Sequence, residues 1–152
     1  IRSRGARVAG YMPNRIETVI AALGCAWIGA IWSSCSPDFG VEGVLDRFGQ
    51  IEPKVLFACD GYQYNGKWIE LDERIQALHE KLQPELLITI PGQGDTSRVR
   101  QALNWRDWLA AAGPPPAFAE LPFDHPLYIP YSSGTTGAPQ CIVHGTGGAA
   151  MR

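Results

Sequence analysis

A chain of 152 residues, 45% of them apolar and with a formal net charge of −2, is long enough for one domain with a sizeable core. That balance gives no electrostatic footprint for nucleic acid, and no apolar run approaches the ~20 residues that cross a bilayer. The chain opens on Ile1 without the paired basic and apolar segments of a signal peptide, and Arg2, Arg4 and Arg7 read as a solvated face. Cys25, Cys35, Cys59 and Cys141 stand far apart among apolar neighbours, as buried thiols in a reducing, cytoplasmic setting do. No C-x-x-C, H-E-x-x-H or G-x-S-x-G string offers a metal site or a hydrolase nucleophile.

In chain order, residues 8–11 predict the end of a strand. Asn14 offers an N-cap with Glu17 three residues later, and Ile16, Val19, Ile20, Leu23 and Trp27 fall at helical spacing, predicting a helix with one apolar face. Residues 30–33 predict the next strand, and the stretch 19–32 reads as a buried helix and strand, with Trp27 and Trp32 in the core. A turn at Ser36-Pro37-Asp38 leads to a second helix with Val41, Val44, Leu45 and Phe48 inward and Gly49 and Pro53 bracketing its end. Residues 55–58 form a short, wholly apolar run, the pattern of a strand covered on both faces.

Asn65-Gly66 between two aromatic-rich runs predicts a two-residue hairpin. Leu71, Ile75, Leu78 and Leu82 mark a third amphipathic helix, and 86–90 another buried strand. Trp105, Trp108 and Leu109 predict a short helix, and Pro114-Pro115-Pro116 a stiff connector. Alternating strands and helices predict an α/β fold around a mostly parallel sheet. Residues 126–131 predict a last strand, which runs into Tyr131-Ser132-Ser133-Gly134-Thr135-Thr136-Gly137-Ala138-Pro139-Gln140.

That string packs hydroxyls and glycines into a short loop, and freed backbone N–H groups beside hydroxyls suit phosphate oxygens. It lacks the Gly-Lys-Ser/Thr ending of a Walker A loop. Pro139 favours extended chain, and residues 141–144 read as a strand, so the expected geometry is strand, loop, strand: a hairpin-like flap. On composition alone an ordinary connecting loop is the rival reading. His144 is read as a satisfied strand-end histidine, and residues 145–152 as the opening of a helix.

The loop string resembles the phosphate-binding signature of the adenylate-forming superfamily, which includes acyl-CoA synthetases. The string Ile31-Trp32-Ser33-Ser34-Cys35-Ser36-Pro37-Asp38-Phe39-Gly40, with segments 44–57, 60–67 and 141–145, is similar to the acetoacetate–CoA ligase family within it. The likeness runs from about Val8 to the end. It implies that residues 1–152 are part of a large N-terminal AMP-binding (adenylation) domain, with the small C-terminal domain absent. It also implies a parent ligase in which the acetoacetate carboxylate attacks ATP, pyrophosphate leaves, and CoA displaces AMP, with Mg²⁺ assisting.

Carried over by position, Ser132, Ser133, Gly134, Thr135, Thr136 and Gly137 would wrap the β- and γ-phosphates, and Thr135 or Thr136 would help place the metal. Gln140 stands where the family usually carries lysine; it keeps a donor and loses the charge. A charge-assisted hydrogen bond contributes roughly 1.5–3 kcal/mol against about 0.5–1.5 for a neutral one, so the change is expected to cost on the order of tenfold in ATP binding or rate. No catalytic residue falls within the chain, and the isolated polypeptide is expected to be inactive. A stand-alone phosphate-binding module and a degenerate gene remnant are the alternative readings.

Overall fold

The computed structural model describes residues 4–93, 98–133 and 137–151. In chain order the elements are β1 (Arg7–Tyr11), α1 (Ile16–Ile28), β2 (Ile31–Cys35), α2 (Val41–Phe48), β3 (Val55–Cys59), β4 (Gly61–Tyr64) and β5 (Lys67–Glu70). They are followed by α3 (Asp72–Leu82), β6 (Leu86–Ile90), β7 (Leu103–Asn104), α4 (Trp105–Ala110), β8 (Pro126–Tyr128), β9 (His144–Gly145) and α5 (Thr146–Ala150). Seven strands form one sheet in the order β7-β6-β3-β1-β2-β8-β9, parallel except for the β8–β9 pair. The predicted α/β architecture, a mostly parallel sheet flanked by helices, is the observed one.

Alternation along the strands sorts the core into two layers. Val8, Trp32, Val55, Phe57, Ile88 and Ile90 join Ala21 and Cys25 of α1 and Trp105 of α4 on one face. Ala9, Tyr11, Leu56, Ala58 and Leu87 meet Val44 and Phe48 of α2 and Ile75 and Leu78 of α3 on the other. The chain leaves β1 for its neighbour β2 on one side, then crosses to β3 on the opposite side. In open α/β sheets such a divergence opens a crevice at the carboxyl ends of the strands, where ligands bind.

Helix α1 forms where its spacing predicts, but with its surfaces exchanged. Ile16, Val19, Ile20 and Leu23 are 47–68% exposed, while Ala21 and Cys25 are buried. The cause lies underneath: Trp32, Phe57, Trp105 and Trp108 lie against one another with ring centroids 5.7–6.3 Å apart and fill the volume above the sheet. Only a face of small side chains fits over them. Asn14 is not the cap; the N-cap is Arg15, which has no side-chain cap bond. Arg15 instead pairs with Glu17 at 2.9 Å and reaches the Pro91 carbonyl at 3.2 Å, tying the helix start to the sheet. Trp27 also departs from its expected core position: it stacks on Phe118 at 3.7 Å and donates to the Pro116 carbonyl, pinning the proline connector to α1.

The hairpin β4–β5 stands apart from the main sheet, and its turn residues Asn65 (φ 47°) and Gly66 (φ 74°) are both left-handed, as a tight primed turn requires. Trp68 of β5 lies between Gly61 and Gly92, so close that an added Cβ would come within 2.3 Å and 1.9 Å of its ring. The strand predicted over 126–131 is regular only to Tyr128, and the one predicted over 141–144 reduces to β9 and an antiparallel bridge between Tyr131 and Cys141. Pro126, Pro130 and Pro139 lack the N–H a continuous ladder needs. Among the described residues, no helix is long and apolar enough to cross a membrane.

Candidate functional site

Beyond β8 the chain continues alongside β2, with the Ile129 N–H bonded to the Trp32 carbonyl at 2.8 Å. The Ser33 hydroxyl, buried, donates to the Ile129 carbonyl at 2.7 Å and shares a hydrogen bond with the Tyr131 hydroxyl at 3.0 Å. These contacts set the ends of two strands side by side and open a cleft of about 640 Å³ between them. Its lining includes Ser33, Ser34, Ser36, Ser132 and Ser133, aromatic faces from Trp32, Phe39, Tyr128 and Tyr131, and one cation, Arg47. Among the described residues the lining holds no carboxylate, although Ser36 Oγ donates to the Asp38 carboxylate beside it at 3.0 Å. A hydroxyl-rich wall with a single guanidinium is complementary to an anion.

The cation is held in place. Its guanidinium carbon lies 4.1 Å above the Phe39 ring and 6.0 Å from that of Tyr131, and Nη1 donates to the Gly43 carbonyl one turn back at 2.7 Å. Phe39 is in turn fixed by Tyr11, a fully buried side chain whose hydroxyl sits 3.0 Å from the Pro37 carbonyl and 2.7 Å from that of Phe39. Burial pushes the Tyr11 and Tyr131 phenols up from their ordinary value, so both stay neutral hydrogen-bonding groups at neutral pH. Cys35 at the cleft floor is pushed up to about 12 by burial, so it stands there as a neutral thiol and no nucleophile.

The two arms of the flap are joined at its base. The Ser132 N–H donates to the Gln140 carbonyl and the Gln140 N–H to Ser132 Oγ, both at 3.0 Å, forming a rung just past the Tyr131–Cys141 bridge. Of the residues expected to grip phosphate, Ser132 and Ser133 line the cleft. Gly137 and Gln140 lie exposed on the returning arm, and the Gln140 side chain is not part of the lining. Gly134, Thr135 and Thr136 lie outside the described residues. His144 stacks on Tyr128 at 4.7 Å, in keeping with its strand-end reading.

Reading the sequence missed Arg47, the serines at 34 and 36, and the Tyr11 prop. Arg47 sits between the inward Val44 and Phe48, where it reads as an ordinary surface cation. The Ser33-Ser34-Cys35-Ser36 string carries part of the family likeness, and hydroxyls at a strand's carboxyl end are signal enough to place it in a site. Among the described residues no group of three His, Cys, Asp or Glu could hold a metal ion.

An α/β sheet with an anion-suited cleft at its carboxyl edge defines a class, and comparison with known proteins gives the family. The family model described as "AMP-binding enzyme" matches residues 2–152, and the chain belongs to that family. It is 50% identical to an acetoacetyl-coenzyme A synthetase of Rhizobium meliloti (strain 1021) over 97% of its length and 23% of the relative's. A malonamoyl-CoA synthetase of Penicillium aethiopicum is 41% identical over 96% of this chain and 22% of its own. Among solved structures, an acetoacetyl-CoA synthetase from Streptomyces lividans superposes with a TM-score of 0.89 at 45% identity, covering 95% of this chain and 22% of that one. The chain thus spans under a quarter of the length of these relatives.

Proposed function

We propose that the chain is part of the adenylation domain of an ATP-dependent acid–thiol ligase that forms acetoacetyl-CoA from acetoacetate, ATP and CoA through an acyl-adenylate, releasing AMP and pyrophosphate. The observation that carries this reading is the cleft, whose described lining residues include five serines and one guanidinium and no carboxylate, at the carboxyl ends of a parallel sheet. Its contribution is to hold the polyphosphate tail of ATP. Ser132 and Ser133 donate from the flap, and Arg47 supplies from α2 the fixed positive charge that Gln140 does not. Leaving-group charge on pyrophosphate is the load such a site must stabilise.

The flap's remaining proposed contacts are Gly134, Thr135, Thr136 and Gly137, with Thr135 or Thr136 assisting Mg²⁺; the described lining adds no carboxylate ligand for the metal. As for the acid, the acetoacetyl and malonamoyl groups named for the two relatives each carry a carbonyl two carbons from the activated carboxyl. A short 3-oxo acid is therefore the substrate class, acetoacetate its first member. The chain by itself is expected to bind polyphosphate without completing the ligase reaction, in a water-soluble cytoplasmic setting.

Titration with inorganic tripolyphosphate, followed calorimetrically, tests the grip separately from the chemistry. Saturable binding that weakens in Ser132→Ala and again with added salt supports the reading. Absence of binding by the folded chain, or binding indifferent to that substitution, removes it.

A further inference from the structure

The returning arm of the flap is anchored by a residue outside the loop. Gln50 follows the last turn of α2, where its backbone is fixed between Phe48 and Ile51, 0% and 5% exposed, and by its own N–H on the Arg47 carbonyl at 3.1 Å. Its side-chain amide uses both N–H groups: one on the Asp46 carbonyl at 2.6 Å, which holds the side chain back along the helix, and one on the Pro139 carbonyl at 2.7 Å. Its Oε1 accepts from the Cys141 thiol at 3.3 Å. Residues 139 and 141 are thus held from the α2 side by one amide, while residue 140 between them is held from the opposite side by Ser132.

We propose that Gln50 is a positioning residue for the anion site: it bolts the returning arm of the flap to α2, and so sets the distance between the Ser132 and Ser133 hydroxyls and the Arg47 guanidinium. The geometry gives the reason. Arg47 and Gln50 are three residues apart around the end of one helix, so one side of α2 both presents the charge and holds the returning arm of the loop. An amide suits this task because it offers donors to a carbonyl and an acceptor to a thiol at once; neither a carboxylate nor an aliphatic side chain does. This role rests on the flap being the polyphosphate grip, and the experiment keeps the two claims apart.

Gln50→Leu and Gln50→Glu are compared with the unaltered chain in three measurements: alkylation of each cysteine by iodoacetamide with mass-spectrometric readout, tripolyphosphate titration, and thermal melting. Gln50→Leu is expected to raise Cys141 alkylation and to weaken tripolyphosphate binding, each roughly fivefold, the equivalent of one neutral hydrogen bond. Cys25 and Cys59, buried away from the cleft, should stay unlabelled. Gln50→Glu keeps the acceptor for the thiol and loses the donor to Pro139, so Cys141 stays protected while tripolyphosphate binding still falls. A folded Gln50→Leu with Cys141 labelling and anion affinity both unchanged overturns the proposal, as does labelling of all four cysteines together in either variant, which marks general loosening. Should Gln50→Leu fail to fold, Gln50→Glu decides on the same criteria. Should the unaltered chain bind no tripolyphosphate, the grip itself is lost, and Cys141 labelling still reports whether the bolt exists.

Discussion

Replacing Arg47 by methionine keeps a long flexible side chain on α2 and removes the one charge among the described residues of the cleft lining. Two losses are separable. For the folded chain, the stack over Phe39 at 4.1 Å is worth about 0.5–1 kcal/mol at a half-exposed site and the bond to the Gly43 carbonyl about 0.5–1.5, so melting falls by roughly 2–10 °C. For a bound polyphosphate, a charge-assisted hydrogen bond of roughly 1.5–3 kcal/mol disappears, equivalent to about 10- to 150-fold in affinity. The assay is tripolyphosphate titration at about 50 mM and about 500 mM salt; the gap between Arg47→Met and the unaltered chain should narrow at high salt, where the Debye length drops well below ~10 Å. Arg47→Lys keeps the charge but not the planar fork or its stack, and should recover only part of the loss. An Arg47→Met chain that binds tripolyphosphate as tightly as the original at low salt would show that the cleft is no anion site.

Alkaline titration reports on two buried thiols. Cys25 and Cys35 are pushed by burial from 9.0 up to about 12, so between those values the unfolded chain gives up protons that the folded chain retains. Their contribution is whole below about pH 9 and declines above it, by up to ~1.4 kcal/mol per pH unit for each thiol; urea melts at pH 8 and 10 should show the drop, and a Cys25→Ala, Cys35→Ala pair should lessen it, with Cys59, also pushed up by burial, keeping part of the remainder. Gly92→Ala places a Cβ 1.9 Å from the Trp68 ring and should destabilise by about 1–3 kcal/mol, read by chemical denaturation; an unchanged midpoint contradicts the packing described for the hairpin. On α1, Ile16→Gln with Leu23→Gln should shift stability by no more than ~0.5 kcal/mol per site, since both residues are about two-thirds exposed, whereas Leu78→Ala should cost about 2–5. Equal losses at the two places would mean that the outer face of α1 is in fact covered.

Most of the sheet was legible because its signals are local. The runs that became β3 and β6 are apolar throughout, as a doubly covered strand must be, and Asn65-Gly66 names its turn by chemistry alone. The side of α1 that faces the sheet was not legible: periodicity shows that a helix has an apolar stripe, but which stripe is buried depends on how much room Trp32 and Phe57 leave beneath it. The flap was visible as a string of small hydroxylated residues, yet its partners Arg47 and Gln50 were not. They lie some 80–90 positions away in sequence, and only the return of β8 beside β2 brings them near. Proline placement explains the shortened terminal strands, a cost in ladder bonds that the apolar pattern around 141–144 does not announce.

The two sides of the cleft are made at very different times in the chain: Ser33 and its partner Ile129 are 96 positions apart. One side belongs to a helix–strand unit whose contacts are close in sequence, while the other follows the connector that Trp27 holds through the Pro116 carbonyl and the Phe118 ring. Closing so long a span is slow, so in a refolding experiment helical signal should recover before tripolyphosphate binding does. Any anion that bridges both sides favours the finished chain over every earlier intermediate, and the ligand becomes a reporter, and in excess a driver, of the last step of assembly.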